Sequence, residues 1–194
     1  PSTLQATGAI VTQGGTTTSS GTYTLLTSAS SLTAILAAPK AITTMTWTLG
    51  VVTATVTGGH GYPVSANPIS ATIAGVAPTG YNGTYAITVT SATQFTYALA
   101  TNPGASTTQG TVTNYNAGLL TNSVATFFAQ GTACSVYVLG LGSGTAAAGV
   151  TALSAWITAN AGIFYAYLLP VLWDAEATTL AFVNQYTSVS TAVY

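Results

Sequence analysis

The segment Ser135–Thr145, SVYVLGLGSGT, indicates how the second half of the chain folds. Its run VYVL is rich in β-branched and aromatic residues and predicts a buried strand, and the glycines after it predict a tight turn. The apolar residues that follow repeat at the spacing of one helix face: Val150, Leu153, Trp156 and Ile157. We therefore predict a strand, a glycine turn and a helix in that order.

The alternation of helix and strand continues on both sides of this segment. Before it, a helical pattern ends at Gly131, and after it Ile163–Leu169 (IFYAYLL) reads as a second buried strand that Pro170 ends. A third helix is predicted to begin at Asp174, and Val189–Tyr194 to form another strand. Apolar strands alternating with helices are typical of a parallel sheet with crossover helices. We predict an α/β or α+β domain on a mixed sheet.

Residues 50–114 have a different residue pattern, typical of β-strands rather than of alternating strands and helices. Their β-branched and alternating runs are separated by turn clusters such as Gly58–Pro63 and Tyr81–Gly83. Alternating apolar residues in Tyr85–Val89 and again in Phe95–Leu99 predict a hairpin. Short strands at this spacing, without a helical period, predict an all-β sandwich or barrel module.

This module is predicted to be an insertion. Residues 1–49 and 115–194 then form one discontinuous α/β domain, and residues 50–114 form a self-contained unit on its outer surface, since loop tips tolerate insertions. The strand predicted at Thr43–Leu49 is assigned to the α/β domain. Its apolar residues alternate onto one face: Met45, Trp47 and Leu49.

The composition excludes several classes of function. Charged residues make up 2% of the chain, against about 25% in typical soluble domains. Because Lys40 is the one Lys or Arg, the chain cannot neutralise several phosphates, which excludes nucleic-acid binding. The single Cys excludes a disulfide framework. Low net charge favours association, so we predict a protein packed against copies of itself.

The mean hydropathy of +0.53 raises the question of a membrane span. A spanning helix needs about 20 mostly apolar residues. The longest apolar run, Ala161–Trp173, is interrupted by Pro170. We therefore predict no transmembrane helix and no direct membrane insertion.

Gly140–Thr145 lies where a phosphate-binding loop would, between a predicted strand and a predicted helix. The dinucleotide fingerprint needs a third glycine at position 145, which is Thr, and an acidic residue about 20 positions later, which is missing. The phosphate loop ends in Gly-Lys-Ser/Thr, and this segment has no Lys. We predict a β-to-α connection with no cofactor.

The remaining candidates for chemistry are single residues. His60 lies in a glycine turn without carboxylate or Cys neighbours, so a turn role is predicted rather than a metal or catalytic one. Asp174 is predicted to cap a helix, with Glu176 complementing the positive end of that helix. Cys134 is predicted to start a buried strand as a small hydrophobe, and Lys40 to be a solvated cation.

Aromatic residues near the C-terminal strand are predicted to serve the core and subunit contacts: Phe164, Tyr165, Tyr167 and Trp173. A Ser–His60–Asp174 triad can be drawn, but no Gly-x-Ser-x-Gly elbow supports it. We therefore predict no catalytic, cofactor-binding or metal-binding residues, and no enzymatic activity.

Four stretches of the C-terminal half resemble bacteriophage contractile tail sheath proteins: Ala125–Gly131, Ser135–Gly142, Gly149–Ile157 and Phe164–Asp174. The order strand, glycine turn, helix, Tyr-rich strand, Pro and Trp-Asp is similar to the sheath α/β domain. Residues 50–114 resemble an Ig-like β module inserted in phage structural proteins. Its marks are Tyr81–Tyr85 and Phe95–Tyr97.

The resemblance implies a subunit of rings that stack into a helical tube around the inner tail tube. Its partners would be copies of itself, the tail tube protein and the baseplate. Contraction would drive the tube into the host envelope. The protein would be assembled in the host cytoplasm and reside in the phage tail of the virion.

The chain departs from sheath proteins in two respects. Sheath lattices normally use charged contacts between subunits, and charge is almost absent here. Sheath proteins also carry a long C-terminal region with a linking arm, whereas Val189–Tyr194 reads as a strand with nothing after it. On that ground we expect the chain to be an incomplete sheath polypeptide.

The sequence leaves an alternative function open, a cell-surface or phage adhesin or a carbohydrate-binding β module. Thr-rich strands, 11 Tyr residues and the absence of catalytic groups favour it. For residues 50–114 themselves two roles are open: decoration of the assembly, or weak contact with a host surface through Tyr62, Tyr81 and Tyr97.

Overall fold

The computed structural model describes residues 7–64, 68–131, 134–174, 176, 177 and 179. The fold is mixed α+β, with 34% strand and 25% helix. The strands are β1 (Gly8–Thr12), β2 (Tyr23–Leu26), β3 (Lys40–Ala41), β4 (Thr44–Thr48), β5 (Val51–Thr55), β6 (Ile69–Ala77), β7 (Gly83–Val89), β8 (Gln94–Ala98), β9 (Thr108–Val112), β10 (Val136–Gly140) and β11 (Ala166–Leu168). The α-helices are α1 (Tyr115–Phe128) and α2 (Ala146–Ala159), and short 3₁₀ helices cover Ala29–Ala34, Thr79–Tyr81 and Val171–Trp173.

The chain divides into two compact units. Unit 1 comprises Pro1–Leu36 and Leu119–Tyr194, and unit 2 comprises Ala37–Gly118. Each unit has its own sheet, and the buried apolar side chains of each sheet form their own clusters.

The sheet of unit 1 has the strand order β11-β1-β10-β2. β1 is parallel to both of its neighbours, and β2 runs antiparallel to β10. Alternate residues of β1 belong to different apolar clusters: Ala9 and Val11 pack with α2, while Ile10 packs with α1. The sheet is therefore covered by a helix on each face, which explains why its inner strands are apolar throughout.

Side-chain caps fix where the two α-helices begin. The Oδ1 of Asn114 accepts hydrogen bonds from the backbone N–H groups of Asn116 and Ala117, at 3.1 and 3.3 Å. The Oγ1 of Thr145 accepts from the N–H of Ala148. Each cap satisfies donors that the first helical turn leaves without a partner.

The end of unit 1 differs from the sequence prediction. The strand predicted over Ile163–Leu169 pairs only at Ala166–Leu168. Asp174 follows the 3₁₀ helix Val171–Trp173, and its backbone N–H closes the last turn of that helix by donating to the carbonyl of Val171. Of the described residues after it, Glu176 is not helical but Ala177 and Thr179 are, so the predicted third helix does not start at Asp174 itself. Pro170 explains this early turn, because its fixed φ favours the start of a helical segment. The strand predicted at Val189–Tyr194 lies outside the described residues.

Unit 2 is one seven-stranded sheet of order β3-β9-β6-β7-β8-β5-β4, with every neighbouring pair antiparallel. The sheet curls into a half-barrel around a single apolar core. The prediction of an all-β module is therefore confirmed, and the barrel alternative is nearer than the sandwich. The described strands of unit 2 form one curled sheet rather than two, with β3 and β4 at its edges.

The predicted boundary of the β module is also wrong at its N-terminal side. β3 and β4, which lie within the 1–49 segment assigned to the α/β domain, pair with β9 and β5 of unit 2. The Nε1 of Trp47 also donates to the carbonyl of Leu99 at 2.7 Å. An alternating pattern shows which face of a strand is apolar, but it does not show which apolar core that face joins. β4 pairs with β5, the next strand along the chain, and so belongs to the sheet of unit 2.

Two glycines at facing positions bend the sheet of unit 2. Gly75 on β6 and Gly110 on β9 both have positive φ, of 74° and 66°. A Cβ on Gly110 would collide with the carbonyl oxygen of Ala74 and lie 2.7 Å from the backbone nitrogen of Val76. The close approach of the two strands therefore requires glycine at position 110.

We expect Gly110→Ala to destabilise unit 2 by about 2–5 kcal/mol, since left-handed strain adds to overpacking against β6. The matched control is Gly104→Ala, because Gly104 also has positive φ but an added Cβ would meet nothing within 4 Å. Gly104→Ala should lower the free energy of unfolding of unit 2 by only about 1–2 kcal/mol. Urea unfolding of the two variants measures the difference, and equal losses would contradict the steric account.

Because the two units have separate apolar cores, the structure also predicts which segment can be deleted without unfolding the rest of the chain. Replacing residues 38–113 with a short Gly/Ser linker should leave unit 1 folded, because its apolar clusters contain no residue of that range. Replacing Val51–Thr113 should leave β3 and β4 without partners and give an aggregation-prone product. Circular dichroism and gel filtration of both deletions test this, and equal behaviour of the two would argue against the boundary at Ala37.

Candidate functional site

The most concentrated set of aromatic side chains lies on the face of the unit 1 sheet that α2 covers. We call it the aromatic cluster: Tyr23, Tyr137, Trp156, Phe164 and Tyr167. Phe164 is at its centre, with its ring stacked on Trp156 at 5.4 Å between centroids and edge-on to Tyr23 at the same distance. Such stacked and edge-to-face pairs fix ring orientation as well as burying area.

The aromatic cluster reaches solvent at β2, an edge strand of the sheet. Tyr23 is 42% exposed, and Leu25, two residues along on the same face, is 46% exposed. Leu25 lies opposite Tyr137 on β10. The Nε1 of Trp156 donates to the carbonyl of Gly21 at 2.9 Å and so holds the start of β2 against α2. The result is an apolar row, backed by packed rings, on a strand that pairs only with β10 among the residues described.

The Gly140–Thr145 connection lies where the parallel strands end, the usual place for a ligand in an α/β sheet. Gln13, which follows β1, occupies that space with a buried amide. Its Nε2 donates to the carbonyl of Thr145 at 2.9 Å, and its Oε1 accepts from the Nε1 of Trp173 at 3.3 Å. A Cβ at Gly149 would lie 2.6 Å from that Oε1. The connection is therefore packed by neutral groups of this chain.

His60 is completely buried in unit 2, not exposed at the edge of a turn. Its Nδ1 accepts from the backbone N–H of Tyr62 at 3.1 Å, so the ring carries its hydrogen on Nε2, which donates to the carbonyl of Ser91 at 2.8 Å. Its ring lies edge-on to Phe95. Both ring nitrogens thus hold the loop between β5 and β6, through the N–H of Tyr62 and the carbonyl of Ser91.

The other single candidates are dispersed. Asp174 is exposed, and Glu176 follows it after the 3₁₀ turn. Cys134 lies in the connection before β10 rather than inside a strand, and it is half-buried, with its thiol 3.1 Å from the carbonyl of Gly131. Lys40 is on the edge strand β3. Among the residues described, no three His, Cys, Asp or Glu side chains are grouped so that they could hold a metal ion.

The three tyrosines predicted to contact a host surface are buried: Tyr62, Tyr81 and Tyr97. The hydroxyl of Tyr62 donates to the carbonyl of Thr113 at 2.8 Å, and that of Tyr81 to the carbonyl of Gly104 at 2.7 Å. Tyr97 is stacked on Tyr85, with ring centroids 4.3 Å apart. The prediction of surface contact through these residues is wrong, because each ring joins the core while its hydroxyl anchors a backbone carbonyl.

Sequence reasoning missed Tyr23, Leu25 and Gln13. The alternation of Tyr23 and Leu25 is only two residues long, and Gln13 lies in a Gly/Thr-rich segment that reads as a loop. The aromatic cluster joins residues from four elements, so no local pattern could reveal it. Phe164 and Tyr167 are in this cluster, whereas Tyr165 is 47% exposed and Trp173 packs on Gln13.

No protein-family model, no curated protein and no solved structure matches this chain significantly. In the parts of the chain that the structure describes, no helix combines the length and the apolar character that crossing a membrane requires.

The buried phenols predict alkaline instability of unit 2. Burial, and secondarily the neighbouring Tyr115, raises the pKa of Tyr62 from 10 to about 12, and burial also raises the pKa of Tyr97. Above pH 10 the unfolded chain loses phenol protons that the folded chain keeps. Stability should therefore fall as pH rises from 10 to 12, by up to about 1.4 kcal/mol per pH unit for each phenol.

Urea unfolding at pH 9, 10, 11 and 11.5 measures this slope. Tyr62→Phe should unfold about 1 kcal/mol more easily at pH 9, because the bond to Thr113 is lost, but its stability should depend less steeply on pH. A slope that Tyr62→Phe leaves unchanged would contradict the assignment.

Proposed function

We propose that the chain is a structural subunit of a phage contractile tail sheath. In this role copies of unit 1 associate into rings that stack around the tail tube, and contraction of the stack drives genome delivery. The partners are copies of the chain itself, the tail tube protein and the baseplate, and the location is the phage tail. The sheath-like order of strand, glycine turn, helix and Tyr-rich strand in unit 1 supports the proposal.

The observation that carries the proposal is the apolar row on the open edge of β2. Tyr23 and Leu25 are exposed there, and no charged side chain lies on β2 to discourage pairing. Free proteins usually protect an edge strand with charge, Pro or extreme shortness. An edge that lacks these features fits a subunit whose neighbour adds a strand to the sheet.

The alternative, an adhesin or carbohydrate-binding module, loses one of the observations that favour it. The three tyrosines named for surface contact, Tyr62, Tyr81 and Tyr97, are 5%, 1% and 3% exposed. Unit 2 therefore serves better as a decoration of the assembly than as a binding face built on those rings.

A charge on the β2 edge should block assembly. We expect Leu25→Lys to abolish rings and tubes in electron micrographs of the purified full-length chain, because a buried ammonium would be left unpaired against the added strand. Leu25 is half-exposed in the subunit, so the fold should survive, as circular dichroism would show.

The control for Leu25→Lys is Ala155→Lys, which places the same charge on the exposed side of α2. It should assemble as the unmodified chain does. Monomers from the unmodified chain at high concentration, or tubes from Leu25→Lys, would refute the proposal.

A further inference from the structure

The two edges of the unit 2 sheet are protected unequally. β3 has two residues, follows Pro39 and carries Lys40, three features that discourage a strand from adding there. β4 at the other edge has five residues, Thr44–Thr48, with neither charge nor Pro. Among the residues that the structure describes, β5 is the one strand that pairs with β4, on one side of its backbone.

The turn after β4 places an exposed leucine in a backbone conformation that leucine rarely adopts. Leu49 and Gly50 form the two-residue connection to β5, and both have positive φ, of 48° and 85°. Such turns favour Asn, Asp or Gly at the first position, because other side chains are strained there. Leu49 is nevertheless 91% exposed, and Val51 beside it is 44% exposed. Leu49 and Val51 therefore leave apolar surface exposed beside the uncharged edge strand β4.

The sequence of β4 is nearly the same in both directions: Thr-Met-Thr-Trp-Thr. In an antiparallel pair of two such strands centred on Thr46, Thr44 lies opposite Thr48 of the other copy, and Met45 lies opposite Trp47. Alternation along the strand keeps these sets on separate faces, with the threonines exposed and Met45 buried.

We propose that β4 docks on β4 of a second copy of this chain, antiparallel, with a two-fold axis at Thr46. The pair joins two seven-stranded sheets into one continuous sheet. Threonines meet threonines on the outer face, and the thioether of Met45 meets the indole of Trp47 on the inner face, both favourable cross-strand pairs. No like charges are brought together.

This contact is distinct from the one in the proposed tube and does not rest on it. Neighbours in a polar helical tube contact each other through different surfaces, whereas a two-fold pair uses the same surface twice. The β4 pair therefore joins free subunits or separate assemblies. Five residues make a small interface, so the association is weak and depends on concentration.

Residue 46 lies on the two-fold axis, which makes a charge-swap experiment decisive. Thr46→Lys places two ammonium groups opposite each other, and Thr46→Glu places two carboxylates there. Each variant alone should dimerise at least tenfold more weakly than the unmodified full-length chain in analytical ultracentrifugation. An equimolar mixture of the two should regain dimers, because Lys then faces Glu.

The matched control for this experiment is Thr88→Lys, which puts the charge on an exposed position of the inner strand β7. It should dimerise as the unmodified chain does, and circular dichroism should show the native fold for every variant. An unmodified chain that stays monomeric at all concentrations, or a mixture that fails to regain dimers, would overturn the proposal.

Cross-linking tests the register independently of charge. Directly opposed residues of antiparallel strands have Cα atoms about 4.5–5.5 Å apart, within disulfide range. In a Cys134→Ser background, Thr46→Cys should cross-link to itself under mild oxidation. Thr44→Cys should cross-link efficiently only when it is mixed with Thr48→Cys. Equal self-cross-linking at positions 44 and 46, or none at 46, would exclude the two-fold pair even if tubes form.

Discussion

The fold depends on uncharged hydrogen bonds to the backbone, since the chain has one Lys and two acids with which to form ion pairs. The amide of Gln13 joins the end of β1 to the start of α2, and the rings of His60 and Tyr62 tie down a loop of unit 2. A neutral bond of this kind contributes about 1 kcal/mol, but a buried partner left without it costs up to about 3 kcal/mol. Side chains that serve both packing and bonding, chiefly Tyr and Trp, therefore take the places that ion pairs hold in other proteins.

The same scarcity of charge shapes the surface. Proteins commonly use Lys and Glu to prevent strand edges from meeting. Here Lys40 protects β3, while β2 and β4 have no such residue. The open edges of the two sheets also differ in character, because β2 exposes Tyr23 and Leu25 whereas β4 exposes threonines. Each edge thus suits a different kind of contact, and the two would operate separately.

Much of the fold follows from local patterns. The runs at Ser135–Leu139 and Tyr85–Val89 are strands because β-branched and aromatic residues recur there, and the repeat from Val150 to Ile157 lies in α2. The strand predicted at Thr43–Leu49 is present as β4, but its assignment to the α/β domain was wrong, because an apolar face fits any core of suitable size. The burial of Tyr62, Tyr81 and Tyr97 could not be predicted either, because it too depends on residues far away in the sequence. Burial of a phenol depends on a distant carbonyl within reach of its hydroxyl, such as that of Gly104 for Tyr81.

The position of β1 between β10 and β11 has a consequence for synthesis on the ribosome. Residues 8–12 emerge before the strands that flank them, which lie beyond residue 135. At about 5–20 residues per second, β1 waits on the order of ten seconds for its neighbours. Unit 2 ends at Gly118, so it is complete before either neighbour of β1 has been synthesised and can fold while the rest of the chain is translated. During this time the nascent GAIVT segment, apolar and uncharged, has neither of its native partner strands and is therefore exposed to aggregation.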